Sequence, residues 1–315
     1  MAPRRCSARP DLTSVLIALV LVAATIAAAA QQPAGQAGAA KAPAASKQPS
    51  SPLAPPPGGA LVWYLGACGY AVRTRDHLLI FDYQEKYGGA ANEHPADQTA
   101  LATGWVVPDE IKGLKVRVFV SHAHDDHYDP VIFGWRRAIP DIAYYFGFTP
   151  TEGGQVNLFP GPRAELKQAD LEVATINSQF PGDPEVAWLV KVDGLVIYHN
   201  GDCQLRTPSP EHDFLKTKSA RVDLAFVQPT FDLKGKAKPQ TEDFFRKLKV
   251  GAAFPMHDAP GSPGYFVCQK AMQTQFPGLR VHVPTTMGER LVFEKGRIVS
   301  SSGGAPATTK KGTKS

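Results

Sequence analysis

Between residues 60 and 299 the apolar side chains fall in short runs punctuated by turn-forming residues, the spacing of strands rather than of long helices. Residues 61–65, 69–74 and 77–81 are predicted strands, joined by tight connections at Ala67-Cys68 and Arg75-Asp76. Residues 116–120 form a further apolar strand that runs directly into Ser121-His122. Strands at 171–176, 186–192 and 195–198 follow, the last two joined by Asp193-Gly194, a pair suited to the positive φ angles of a two-residue hairpin. Residues 222–227 and 252–255 are later strands, and 291–294 pairs with 297–300 through Lys295-Gly296. Helical periodicity appears over 129–138, 241–249 and 264–276. Strand runs interspersed with helices predict two sheets with helices outside. One long irregular stretch, 83–113, is rich in Gly, Ala, Asn and Pro, and loops of that length tend to be functional; it is read as a lid, with His94 placed to meet substrate.

The two ends of the chain have a different texture. Arg4, Arg5 and Arg9 precede an apolar run over 12–26, and Ala28 and Ala30 occupy the small-residue positions of a cleavage site before Gln31. This is the pattern of a signal peptide over 1–30, and it implies a periplasmic or secreted protein; the alternative, an uncleaved membrane anchor, would put the membrane among its partners. Residues 31–59 and 300–315 are built from small and polar side chains that cannot bury enough surface to order themselves, so they read as a disordered linker and tail. The 240 residues between, 60–299, suit one large domain.

Charge reinforces this division. The chain has 34 basic and 29 acidic side chains, but eight of the basic ones and only Asp11 among the acids lie in the ends. The domain therefore carries 26 basic and 28 acidic groups, a net charge of −2, which argues against a nucleic-acid partner. Beyond the leader there remain Cys68, Cys203 and Cys268, an odd number too small for a disulfide framework.

The segment Ser121-His122-Ala123-His124-Asp125-Asp126-His127 carries the chemistry. Neutral imidazoles and carboxylates are the ligands suited to zinc and similar divalent metals. In extended chain, side chains two apart face the same way, so His122 and His124 can approach one metal together. Asp126 and His127 follow at a turn and can face a second.

His122-x-His124-x-Asp126-His127 resembles the His-x-His-x-Asp-His signature of the metallo-β-lactamase superfamily, and the likeness extends over most of the domain. It is most similar to the lactonase-like branch that includes the L-ascorbate-6-phosphate lactonases. Leu65-Gly66 with a strand ending at Phe81-Asp82, Tyr198-His199-Asn200-Gly201-Asp202, and Phe254-Pro255-Met256-His257 resemble segments of that branch. The resemblance implies an α+β fold, a four-layer αβ/βα sandwich with the metal at one edge of the strands. It implies that Asp202 bridges two metals and that His257 is the last ligand of the second. His199 is read as supporting the site from behind the ligands, with a catalytic positioning role beside Asp126. His77, His94, His212 and His282 are read as surface or structural, His94 alone lying in the lid where it could meet substrate.

The likeness breaks before the strand at 186–192. The superfamily places another histidine there as third ligand of the first metal, whereas this chain offers Asp183 and Glu185, with Asn177 and Gln179 weaker candidates. One site thus has Asp126, His127, Asp202 and His257; the other has His122, His124 and a share of Asp202. One tightly held ion is expected, with a second weaker. The function implied is an exported metal-dependent hydrolase, zinc being the expected ion, in which a metal-bound hydroxide attacks a lactone, ester or related small molecule. The alternative is a non-catalytic metal- or ligand-binding protein of the same fold with a degraded first site.

Overall fold

The computed structural model describes residues 53–85, 101–159, 163–177, 184–202, 205, 209–232 and 235–302. In chain order the strands are β1 (Ala60–Gly66), β2 (Gly69–Arg73), β3 (His77–Phe81), β4 (Lys115–Val120), β5 (Ile142–Phe146), β6 (Asn157–Leu158), β7 (Glu165–Lys167) and β8 (Leu171–Asn177). There follow β9 (Val186–Val192), β10 (Leu195–His199), β11 (Arg221–Val227), β12 (Lys249–Pro255), β13 (Arg280–Val281), β14 (Arg290–Glu294) and β15 (Arg297–Ser302). The α-helices are α1 (Pro108–Ile111), α2 (Pro210–Lys218), α3 (Pro239–Lys247) and α4 (Pro263–Gln275), with 3-10 segments at Leu101–Thr103 and Pro130–Arg137.

Two mixed sheets result. One runs β15-β14-β1-β2-β3-β4-β5-β6, the other β13-β12-β11-β10-β9-β8-β7. Pairing is parallel from β3 to β6 and from β10 to β13, and antiparallel elsewhere. Both turns expected from their dipeptides close hairpins: Asp193-Gly194 and Lys295-Gly296 have positive φ at both residues.

Side chains alternate across each strand, and both faces are covered. On β1, Val62 and Tyr64 enter the core between the sheets with Phe81, Phe119, Trp188, Phe226 and Phe254, while Leu61, Trp63 and Leu65 enter an outer core. That outer core is closed by Leu101, Ile111, Ile132 and Trp135. On the second sheet, Leu189, Tyr198 and Ala253 meet Leu215, Phe244 and Met272 from α2, α3 and α4. The architecture is the four-layer αβ/βα sandwich, of α+β class. Its helical layer on the first sheet is slight: the helix expected over 129–138 is a 3-10 segment, started by Asp129, whose carboxylate accepts from Val131 N at 3.0 Å.

The structure corrects the lid reading of 83–113 at its described residues, 83–85 and 101–113. Tyr83 is fully buried and its hydroxyl accepts from Val106 N at 3.1 Å, while Leu101, Val106 and Ile111 are buried in the outer core. Residues 101–111 are therefore framework, because their apolar side chains are spaced to plug one face of the sheet. Residues 86–100, with His94, lie outside the described residues, as do the leader, the linker as far as residue 52, and the tail beyond Ser302. Strands β5, β6, β7 and β13 and helices α1 and α2 are absent from the sequence reading.

Candidate metal centre

The site forms where connections leave β1, β3, β4, β10 and β12. After β4 the chain turns through Ser121 to Tyr128, with His127 N and Tyr128 N both bonded to His124 O at 2.9 Å. This turn puts His122 and His127 rings 4.0 Å apart, and His122 and His124 rings 4.5 Å apart. Asp202 arrives from the turn after β10 and His257 from the end of β12. Their side chains meet: His257 Nε2 lies 3.1 Å from Asp126 Oδ2 and 3.3 Å from Asp202 Oδ1, and His127 Nε2 lies 3.2 Å from Asp202 Oδ1.

A second row of side chains sets the tautomers. Asp82 is fully buried; its Oδ1 accepts from Ser121 N at 2.8 Å, and its Oδ2 from Ser121 Oγ and His127 Nδ1, both at 2.7 Å. Since Ser121 spends its proton on Asp82, its oxygen accepts from His122 Nδ1 at 3.0 Å. Both Nδ1 atoms are thus donors and both Nε2 atoms are left for the site, the arrangement that carboxylate–histidine–metal triads use. Burial opposes a charge on His127, but the surrounding Cys68, Asp82 and Asp202 raise it well above its ordinary value, so its Nε2 must give up a proton when a cation binds. The sequence reading placed Asp82 at the end of a segment resembling the lactonase-like branch but gave it no role at the site, because its partners lie 39 and 45 residues away.

Glu185, one of the two carboxylates offered in place of the missing histidine, takes another place. It is buried, its Oε1 accepts from Asp202 N, and the same oxygen lies 3.7 Å from His122 Nδ1, on the side of the ring away from Nε2. It holds the Asp202 turn against the first sheet. That turn needs Gly201: its φ is 54°, and a Cβ there would sit 2.8 Å from Glu185 Oε1 and 2.9 Å from Ser121 Cβ. Asn177 ends β8, while Gln179 and Asp183 lie outside the described residues.

His199 does not reach the cluster. Fully buried and stacked on Phe81, it donates from Nε2 to Cys68 O at 2.9 Å and accepts at Nδ1 from Gly201 N at 3.3 Å. It pins two turns that carry site residues, and its place is one of support. His77, His212 and His282 each pair with a carboxylate elsewhere: Asp193 and Asp170, Asp243, and Glu289 respectively. The first two of these histidines are buried rather than superficial.

Two groups of donor atoms converge closely enough for one ion each, with all ligand atoms within 4.8 Å of one another. One is His122, His124 and Asp202; the other is Cys68, His127, Asp202 and His257. Asp202 belongs to both, as a bridging position requires. Asp126 is in neither; it flanks the second group, 3.6 Å from His127 Nε2. Cys68, fully buried in the turn between β1 and β2, was not foreseen as part of the site.

The donors suit a cation. Among the described residues, His122 Nε2, His127 Nε2 and Asp202 Oδ1 are buried without a hydrogen-bond partner, an expensive condition that a bound cation relieves. Burial, helped by the neighbouring His127, pushes His122 down to about 4, so it is neutral at pH 7 as a ligand must be. His257 is pushed up to about 9 by its hydrogen bonds to Asp126 and Asp202. Burial works against ionising Asp202, but His127 and His257 outweigh it and hold the carboxyl well below its ordinary range. Without a cation, protons on the histidines balance the carboxylates. The backbone is strained here too: Ala67, Asp82 and His257 have φ of 44°, 42° and 79°.

No family model matches the chain. Among solved structures it is similar to Igni18, a metallo hydrolase from the archaeon Ignicoccus hospitalis, at 18% identity and a TM-score of 0.48, over 75% of this chain and 99% of that one. It is similar to the metallo-β-lactamase fold protein YhfI from Bacillus subtilis at 16% identity and a TM-score of 0.45, over 72% and 98% of the two chains. A third is CmlA, a diiron β-hydroxylase from Streptomyces venezuelae, at 12% identity and a TM-score of 0.47, over 75% and 54%.

Proposed function

We propose that this protein is a metal-dependent hydrolase acting on a lactone, ester or related small molecule, with zinc as its ion, and that its leader exports it. The observation that carries the reading is the convergence of three buried, unpartnered donor atoms, His122 Nε2, His127 Nε2 and Asp202 Oδ1, beside His124 and His257. His122, His124 and Asp202 would hold an ion with three protein donors, the number that catalytic zinc sites use. The ion, when bound, activates water and polarises the bond under attack.

The chain's own residues supply the rest. Asp126 reaches the cluster from its solvent side, its side chain 17% exposed against 12% for Asp202 and none for Asp82. Its carboxyl is held below the ordinary range: burial opposes ionisation, but the hydrogen bond from His257 outweighs it. It is therefore charged at neutral pH and placed to take the proton of the attacking water. Asp82 and Ser121 hold the two imidazoles in register, and Glu185 and His199 hold the turn that bears Asp202.

The test is hydrolysis of a panel of lactones, aryl esters and phosphodiesters by protein stripped with chelator and by protein reloaded with zinc. Zinc-dependent turnover of one class, abolished in Asp126→Ala and His122→Ala, is the expected result. Tight metal binding with no turnover of any class would instead favour a non-catalytic metal-binding protein.

A further inference from the structure

We infer that the Cys68 thiolate is a ligand of the second metal position, giving that position a sulfur, two nitrogens and an oxygen as its donors. This rests on the metal reading above and goes beyond it, because it moves Asp126 from ligand to neighbour and fixes the chemical preference of the site.

Geometry carries the inference. Cys68 Sγ lies within 4.8 Å of the ligand atoms of His127, Asp202 and His257. Two of those atoms, His127 Nε2 and Asp202 Oδ1, are buried and unpartnered: they are 3.2 Å apart but not aligned as a hydrogen bond. His127 is fully buried and Asp202 is 8% exposed. A small buried cysteine is often only a core filler, and Cys68 does belong to the core between the sheets. What distinguishes it is how firmly its turn is tied to the other ligands. Cys68 O accepts from His199 Nε2 at 2.9 Å, and Ala67 O accepts from His257 N at 3.2 Å and from Tyr265 Oη at 3.4 Å. The turn bearing the thiol is thus bonded to the backbone of one ligand, His257, and through His199 to Gly201, beside another. A filler needs no such fastening.

Binding exchanges one bond for another: the thiol proton leaves to solvent as the sulfur–metal bond forms. A thiolate beside two imidazoles and a carboxylate selects zinc or cobalt over magnesium, calcium or manganese, which prefer oxygen. Asp126, 3.1 Å from His257 Nε2 on the solvent side, is then free to accept a proton rather than bind the ion.

The probe is cobalt(II), which reports thiolate coordination as an intense near-ultraviolet charge-transfer band. The chain has four cysteines, so Cys6→Ser/Cys203→Ser/Cys268→Ser leaves Cys68 as the sole thiol. Cobalt-loaded wild type and this triple variant should both show the band. Cys68→Ala should lose it and bind zinc at least about 10-fold more weakly by chelator competition. Cobalt bound by the triple variant without the band, or a band that survives Cys68→Ala, overturns the assignment while leaving a metal centre in place. Failure of the wild type to bind cobalt or zinc at all overturns the metal reading and this inference together. Should Cys68→Ala not fold, the triple variant decides alone.

Discussion

Asp82→Asn is the most incisive perturbation of the centre, because it changes charge and donor pattern with almost no change of shape. The carboxylate accepts three hydrogen bonds, from Ser121 N, Ser121 Oγ and His127 Nδ1. An amide can keep its oxygen on Ser121 N, but its NH2 then faces Ser121 Oγ and His127 Nδ1. The hydroxyl can rotate and accept. The imidazole can accept only by moving its proton to Nε2, into the metal position; otherwise two donors confront each other in a fully buried place. Loss of one charge-assisted bond costs about 1.5–3 kcal/mol, and at about 2–4 °C per kcal/mol the metal-free protein should melt roughly 3–12 °C lower. Loss of the support behind a metal-ligating histidine costs a further 10–100-fold or so in affinity, or about 1.4–2.7 kcal/mol. Asp193→Asn is the control. That carboxylate also binds a histidine, a hydroxyl and a backbone amide, accepting from His77 Nδ1 at 3.1 Å, Thr74 Oγ1 at 2.7 Å and Asp76 N at 2.8 Å, away from the metal cluster. Zinc affinity by chelator competition and thermal melting with and without zinc should separate the two. Both variants should lose stability, and only Asp82→Asn should lose affinity. Equal affinity losses in the two, or wild-type affinity in Asp82→Asn, would refute the tautomer argument.

Two further outcomes are expected. Ile111→Ala, at a fully buried position in the stretch first read as a lid, should cost about 2–5 kcal/mol by the usual cavity penalty and lower the melting temperature by at least about 4 °C; an unchanged melt would restore the lid. His257, pushed up to about 9 from an unfolded value near 6.5, lends metal-free protein a stability that is complete below about 6.5 and is lost as pH rises through about 9. Urea unfolding at pH 7 and pH 10 should therefore show a larger loss in metal-free wild type than in His257→Ala, and equal losses would contradict the pairing with Asp126 and Asp202.

The parts of this molecule legible in its sequence are those whose causes are local. Asp193-Gly194 and Lys295-Gly296 announce their hairpins because the conformation belongs to the two residues themselves. The 121–127 heptad announces itself because its donors are adjacent in sequence. Helix α2 escaped because much of its buried face is polar, Glu211 meeting Arg163 and His212 meeting Asp243, so no apolar stripe marks it, although Ser209 before Pro210 is a start signal. Residues 101–111 escaped because three well-spaced apolar side chains do not make a period, yet each fills a hole in a face built from distant strands. At the site itself the roles of Cys68, Asp82 and Glu185 escaped for the same reason, although Glu185 had been named as a candidate ligand. Each derives its meaning from a partner 17 to 131 residues away, and only the folded sheets bring the two together.

The left-handed backbone at Ala67, Asp82 and His257 has a consequence for any attempt to toughen this protein. Such a conformation costs a residue with a side chain about 1–2 kcal/mol, with aspartate and histidine at the low end. Ala67 is the position where heat selection would find relief first, since glycine removes the clash outright. That same change would loosen the turn fastened to His199, His257 and Tyr265. A library screened for thermal survival alone should therefore enrich hardier proteins with a slacker reactive centre. Screens that alternate heat with a demand for metal retention should leave Ala67 alone and find their gains in the outer cores.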